Sequence, residues 1–447
     1  MNPDAISANK AQLQVPSGWQ IRPLKSLASF RKGLSILKTD LSDQGVRVIS
    51  YGQIHDKSNT GVKLTDGLLR YIPQELTRGG SGSRLRYGDL VFADTSEDLE
   101  GAGNAVFVDT DDEVFAGYHT VICRLHEENV LPKFLAYVVN SEYWRSQVRR
   151  HVSGVKVFSI TRRILSSTFV QFPAYSEQQR IVQLLDAETT KIDRALNLLE
   201  QELVTLEQLK KSLIHEAVTK GLDHTVPMKP SGVEWIGDIP MGWEAKKLKF
   251  IASFGSGTTP DSGDYSYYDG GDIPWIQSGD LYETPQISTT DKNVTAKAVR
   301  ELSALSVYKA PFVVVAMYGA SVGNTSLSII DACMNQACCY IRATRAANDE
   351  YLFYAITSAK LDLMSKAQGG TQPNISQIVL KNQSVPCPPL VEQKRIVEAL
   401  EQRVIDLDYA IAIKRSQSSL LRQQRQALIF EYVTGKRRVN EVHDGCR

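Results

Sequence analysis

Four short motifs in this 447-residue chain have residue types and spacings that could do chemistry, and each lacks something its chemistry requires. Pro386-Cys387-Pro388 holds a thiol in the setting from which the thiolate of cytosine-5 methyltransferases attacks a base. It stands at a helix entrance, however, and its counterpart elsewhere in the chain is Gln171-Phe172-Pro173, so an apolar pre-helix residue is the better reading. Asp272-Ile-Pro-Trp275 is similar to the Asp-Pro-Pro-aromatic loop of amino-methyltransferases, but the second proline and the upstream glycine loop for a methyl donor are missing. Gly101-Ala-Gly-Asn-Ala-Val106 lacks the third glycine of a dinucleotide fingerprint and the apolar strand that should precede it. Glu392-Gln-Lys394 has nuclease-like Glu-x-Lys spacing with no acidic partner strand. No G-x-x-x-x-G-K-[ST] loop is present, and the histidines and cysteines form no metal-ligand spacing. The expectation is a chain with no catalytic residues, no metal and no cofactor of its own.

Residues suited to nucleic acid are easier to find. From Tyr143 to Arg163 there are six Lys or Arg and no acid. Arg149, Arg150, Lys156, Arg162 and Arg163, with Ser159 among them, suit phosphate contacts, which give affinity without sequence information. A solvated basic helix face would account for the same cluster. Base readers are sought where strands should end in loops. These are Tyr51, Gln53, Tyr118, His119 and Thr120 in the first half, and Gln277, Ser278, Asp280, Tyr318, Asn335 and Gln336 in the second. Thr371, Gln372 and Asn374 lie in Gln368-Gly-Gly-Thr-Gln-Pro-Asn-Ile375, whose glycines and amides suit close approach to a duplex. Gln and Asn pair bidentately with adenine and Arg with guanine. The acidic run Asp94–Glu100 would repel phosphate, although a carboxylate can accept from cytosine N4.

What must position these residues is written twice. Pro16–Gly33 lies over Pro240–Gly257 with nine of 18 positions identical, and 154–219 lies over 369–434 with 20 of 66 identical. The second match includes Glu177-Gln-x-Arg-Ile-Val182 over Glu392-Gln-x-Arg-Ile-Val397, while the stretches between the anchors diverge. After Pro173, Ser176-Glu-Gln-Gln179 reads as a capping box opening a long helix. Val182, Leu185, Ile192, Leu196, Leu199, Leu203, Leu206 and Leu213 follow heptad spacing, with Thr189 and Lys210 as polar members of the seam, up to the left-handed cap at Gly221. The second copy places Val397, Leu400, Leu407, Ile411, Leu421 and Leu428 on the matching stripe and ends at Gly435. Its seam is interrupted by Lys414, Ser418 and Arg425. Each helix should run about 45 residues, or roughly 65 Å, and two such seams most simply pair with each other. Val46–Ser50, Leu90–Ala93, Val121–Leu125, Phe312–Tyr318 and Cys339–Arg342 read as strands.

The fold class that follows is two α/β recognition domains, pseudo-twofold related, joined by a pair of long antiparallel coiled-coil helices. The expected divisions are an arm (1–15), a first recognition domain (16–174), a first spacer helix (175–221), a crossover linker (222–239), a second recognition domain (240–389), a second spacer helix (390–435) and a tail (436–447). Net charge is only +1, so a basic surface must be local or come from a partner. No apolar run approaches the roughly 20 residues a bilayer requires. The N-terminus lacks a signal-peptide pattern and the six cysteines are scattered, which together point to the cytoplasm.

With Gly232-Val-Glu-Trp-Ile-Gly-Asp-Ile-Pro240 leading to Trp243, the Gly370-Thr-Gln-Pro-Asn-Ile375 loop and both Glu-Gln-x-Arg-Ile-Val helix starts, the chain resembles the specificity subunits of type I restriction-modification systems. The resemblance runs from about residue 16 to 438. It implies two target recognition domains reading double-stranded DNA as a split site, and assembly with two methyltransferase subunits, which two restriction subunits can join. S-adenosylmethionine, ATP and magnesium would then belong to those partners. Copy one departs from the pattern, with Phe158-Ser159-Ile160 where copy two has Pro373-Asn374-Ile375. Two other readings stay open on the residues alone: a degenerate DNA methyltransferase-like enzyme and a coiled-coil protein-binding scaffold.

Overall fold

The computed structural model describes residues 15–154, 156–282, 284–369 and 373–439. They form two units. One takes the chain up to Glu200 together with the segment from Ser416 onward, and the other takes Gln201–Arg415.

In the first unit the strands are β1 (Gln20–Pro23), β2 (Ala28–Lys32), β3 (Val46–Ile49), β4 (Arg70–Ile72), β5 (Leu90–Ala93), β6 (Thr95–Ser96), β7 (Ala105–Phe107), β8 (Val114–Ala116), β9 (Thr120–Leu125), β10 (Phe158–Ser159) and β11 (Phe169–Phe172). The helices are α1 (Tyr51–Ile54), α2 (Pro132–Val139), α3 (Glu142–Arg149), α4 (Arg162–Ser167) and the first part of α5 (Tyr175–Lys220). The main sheet runs β2-β9-β5-β7, all antiparallel. Its side chains alternate between two cores, as the period of two requires. Leu90, Phe92, Phe107, Val121 and Cys123 pack with α2 and α3, while Val91, Ala93, Val106 and Ile122 pack with Ile49, Val114 and Ala116. Those last three belong to a smaller sheet, β4-β3-β8, in which β3 and β8 are parallel. β1 and β11 pair at the domain's edge, so the anchors of the repeat, far apart in sequence, close on each other.

The second unit repeats this plan. Its strands are β12 (Met228–Pro230), β13 (Asp238–Pro240), β14 (Glu244–Lys247), β15 (Ala252–Ser256), β16 (Ile273–Ile276), β17 (Gln286–Ile287), β18 (Asn293–Val294), β19 (Phe312–Ala316), β20 (Thr325–Ser328), β21 (Cys333–Met334), β22 (Cys338–Ala343) and β23 (Ser384–Cys387). Its helices are α6 (Ala296–Glu301), α7 (Asp349–Ser358), α8 (Lys360–Ser365), α9 (Gln377–Asn382) and the first part of α10 (Leu390–Val433). The main sheet is β15-β22-β19-β20-β17, and the small one is β18-β16-β21 with β16 and β21 parallel. Cys387 is buried in β23, paired with Glu244 of β14, and burial raises its thiol pKa, which fits an apolar pre-helix residue. The strand expected over Phe312–Tyr318 stops at Ala316, which leaves Met317 and Tyr318 in the loop beyond it.

The helix starts differ from the expected capping box. α5 begins at Tyr175, so Ser176 already lies in its first turn. The residue that secures the entrance is the fully buried Gln178. Its amide donates to Pro173 O (3.0 Å) and Asn129 O (2.8 Å) and accepts from Leu131 N (2.8 Å). Gln393 does the same at the start of α10, donating to Pro388 O and Ala346 O and accepting from Asn348 N. The glutamine shared by the two Glu-Gln-x-Arg-Ile-Val runs is thus a clip between strand, helix and neighbouring loop. The helices end at Gly221 and Gly435, both in the left-handed conformation (φ 77° and 67°).

α5 and α10 pack together, and the pairing is antiparallel within each unit. In the first unit Asp193 of α5 meets Arg425 of α10, and Glu177 meets Arg438 just beyond α10. In the second unit Glu202 meets Lys414 and Lys210 meets Asp408. Leu185, Ile192, Leu203, Val397, Leu400 and Ile411 are buried, and Val182, Leu196, Leu199, Leu206, Leu213, Leu407, Leu421 and Leu428 half-buried. The polar residues that break the seam are used rather than solvated. Lys210 and Arg425 hold equivalent positions in the two repeats, as do Asp193 and Asp408, so one ion pair is made twice. Ser418 is buried.

Because Arg425 is mostly shielded, removing Asp193 leaves a largely buried guanidinium without its carboxylate. Asp193→Ala should destabilise the first unit by about 1–3 kcal/mol in urea unfolding. Adding Arg425→Met to that variant should recover most of the loss. Equal stability of Asp193→Ala and the parent would show that the pair does not hold the seam.

Candidate nucleic-acid interface

The parallel pairing of β3 with β8, and of β16 with β21, creates an edge where strand ends and turns converge. In the first unit Tyr51 follows β3, while Tyr118 and His119 form the turn between β8 and β9. The Tyr51 and Tyr118 rings meet edge to face at 5.5 Å, and burial together with Tyr51 raises the pKa of Tyr118. His119 Nδ1 lies 3.0 Å from Asp94 Oδ1, at the end of β5. The chain then enters β6, which pairs with β10, and Ile160 N donates to Asp94 O at 2.7 Å. That pairing brings Ser159 to the same edge, with Arg162 and Arg163 following it in the first turn of α4. Ser159, Arg162, Arg163, Lys156 and Arg150 are all exposed.

Three residues proposed from sequence have internal tasks. Thr120 is buried, its hydroxyl donating to Gly117 O (2.6 Å). Gln53 Oε1 accepts from Ser50 N (3.2 Å) and closes the first turn of α1. Arg149 donates to Glu142 (2.8 and 2.9 Å) and to Glu100 O (3.0 Å). Arg145 beside it also reaches Glu100 O, and Asn104 as well. Burial, then the charge of Arg149, pulls the Arg145 guanidinium down to about 10. Asn104 in turn contacts His55 Nδ1 (3.0 Å), and His55 Nε2 lies 2.8 Å from Thr95 O. The acidic run Asp94–Glu100 is therefore braced by part of the basic cluster, an arrangement that composition does not reveal.

The second unit builds the equivalent edge from other side chains. Gln277 and Ser278 follow β16. The Gln277 backbone N–H donates to Asp280 Oδ2 (2.7 Å), and burial raises the Asp280 pKa. Asn335 N donates to Ile276 O (2.9 Å), and its side-chain carbonyl accepts from Ala337 N (3.1 Å). Gln336 is exposed, and its Oε1 accepts from the Thr259 hydroxyl at 2.5 Å. Ile375 N donates to Met317 O at 2.7 Å, the counterpart of the Ile160–Asp94 bond. Tyr318 and Asn374 form an isolated bridge there, with Asn374 exposed. Thr371 and Gln372 lie outside the described residues.

The repeat itself carries a signal for the edge. Gly33 and Gly257 are identical between the copies, and each passes beneath the edge. A Cβ on Gly33 would come within 2.0 Å of Gly117 O, and one on Gly257 within 1.6 Å of Met334 O. Only glycine fits there. Among the described residues no cluster of His, Cys, Asp or Glu could hold a metal ion, and no helix is long and apolar enough to cross a membrane.

The family model of the type I restriction modification DNA specificity domain matches residues 16–208 and 240–418, so both halves carry it. The chain belongs to this family. It is similar to the putative type I restriction enzyme MjaX specificity subunit of Methanocaldococcus jannaschii, with 23% identity over 437 residues and 95% of each chain covered. Against the EcoKI specificity subunit of Escherichia coli K12 the identity is 21% over 408 residues, covering 87% of this chain and 82% of that one. In fold it resembles a solved chain from work on complex assembly and conformational transition of the type I restriction-modification system. There the TM-score is 0.64 at 21% identity, over 95% of this chain and all of the other. A type I specificity subunit recognises the DNA target and leaves the chemistry to other subunits of its complex.

Exposed and engaged arginines should behave differently. Arg162→Ala and Arg163→Ala should each lower the slope of log affinity against log salt by about one, with little effect on base preference. Arg149→Ala should leave the slope nearly unchanged and lower the thermal midpoint instead. A full unit of slope lost in Arg149→Ala would place that guanidinium on phosphate.

Proposed function

We propose that the chain reads a split DNA target, one short half-site per recognition domain (16–174 and 240–389), with 175–221 and 390–435 as spacer helices, 222–239 as linker, 1–15 as arm and 436–447 as tail. One observation carries this reading. The two units present the same edge, at the ends of a parallel strand pair over a required glycine, and fill it with different side chains. Tyr51, Tyr118 and His119 stand in one, and Gln277, Ser278, Asn335 and Gln336 in the other. A shared frame with different hydrogen-bonding groups suits two addresses rather than one address read twice.

The chain works in the cytoplasm with two methyltransferase subunits, joined in the restricting form by two restriction subunits. S-adenosylmethionine, ATP and magnesium are held by those partners. The unfitted chemical motifs support this division of labour, since Cys387 is a buried structural thiol and Glu392 accepts from the Trp243 indole at 2.8 Å.

Replacing residues 34–153 with the matching segment of another family member should change one half-site of the methylated sequence and leave the other half-site intact. Altered bases in both half-sites would refute one reader per half-site.

A further inference from the structure

His119 is held in a way its exposure does not require. Its side chain is 56% exposed, yet three groups fix the ring. Asp94 Oδ1 lies 3.0 Å from Nδ1, and the Tyr51 and Tyr118 rings meet it edge to face at 5.6 and 6.0 Å. Its backbone is also unusual: at φ 54° it is the one non-glycine residue with positive φ among those described. A β-turn residue forced into the left-handed region costs free energy that a glycine there would avoid. Asp94 is itself located by two backbone bonds, donating N–H to His119 O (3.0 Å) and accepting at its own O from Ile160 N (2.7 Å). The result is an oriented, exposed imidazole at the converging edge.

We propose that Asp94 and His119 act as one specificity-determining pair, in which Asp94 is the positioning residue and His119 Nε2 accepts a hydrogen bond from the exocyclic amine of an adenine or cytosine in the major groove. A carboxylate only accepts, so Nδ1 must be the donor of the pair. In the neutral ring this leaves Nε2 as a bare acceptor, and it has no hydrogen-bond partner among the described residues. Of the major-groove edges, only adenine N6 and cytosine N4 donate. Without Asp94 the ring can turn over or switch tautomer, presenting N–H instead, which suits guanine O6 or N7. The second unit has Ala337 at the equivalent place, so the device belongs to one half-site only. The inference rests on the split-target reading.

The test uses the full chain assembled with its methyltransferase subunits and a randomised duplex library, in mildly alkaline buffer, with bound DNA sequenced. The parent should enrich two blocks. No enriched split sequence in the parent would refute the split-target reading, and with it the pair. Given an enriched parent, Asp94→Ala and His119→Ala should both relax the same base pair, in one block, by about tenfold in discrimination. Asp94→Asn should relax that base pair too and admit guanine there. Loss of a negative charge raises affinity for every duplex alike, so the ratio between duplexes separates positioning from electrostatics. A parent-like profile in Asp94→Asn, or an equal loss on all duplexes in both Asp94 variants, would overturn the pair. Relaxation at different base pairs in Asp94→Ala and His119→Ala would overturn it as well.

Discussion

The apolar ends of the two long helices complete the recognition domains, and the rest of the structure depends on that sharing. The main core of the first unit contains Ile181 and Leu185 from the start of α5, and also Ile429, Tyr432 and Val433 from the end of α10. The main core of the second contains Ile396, Val397, Leu400 and Val404 from α10 and Ile214, Ala217 and Val218 from the end of α5. Each fully buried aliphatic side chain contributes about 1.5–3 kcal/mol relative to exposure, so neither domain can release the other repeat's helix without a large loss. The ion pairs of Asp193 with Arg425 and of Lys210 with Asp408 then fix the register at which this occurs, because a helix seam of leucines alone tolerates sliding by a heptad.

Such a frame permits the edges to diverge. Gln178 and Gln393 secure the helix entrances from inside, and Gly33 and Gly257 let the backbone cross beneath the edge. Tyr118 in one copy stands where Gln336 stands in the other without disturbing the sheets behind them.

The helices and the duplication were legible in the sequence because heptad spacing and repeated anchors are local patterns. The two edges were legible only as loops after strands. Tyr51 lies near Tyr118 because β3 and β8 are parallel neighbours, a pairing between segments more than 60 residues apart that no periodicity announces. The basic cluster from Arg145 to Arg163 was visible, but its division was not. Arg145 and Arg149 face inward onto Glu100 and Asn104, while Arg162 and Arg163 face solvent, and only the packing of α3 decides between these fates. Lys210 and Arg425 were legible as polar seam positions, but their partners Asp408 and Asp193 lie about 200 residues away in sequence and only the helix pairing brings them opposite.

The most direct measurement of the central claim is sequencing of the modified bases in a genome maintained by this chain and its methyltransferase subunits. Two differently furnished edges predict one motif of two short defined blocks separated by a fixed unspecified gap, with one modified base in each block on opposite strands. A single uninterrupted motif, or a motif whose two halves are the same sequence inverted, would contradict the account.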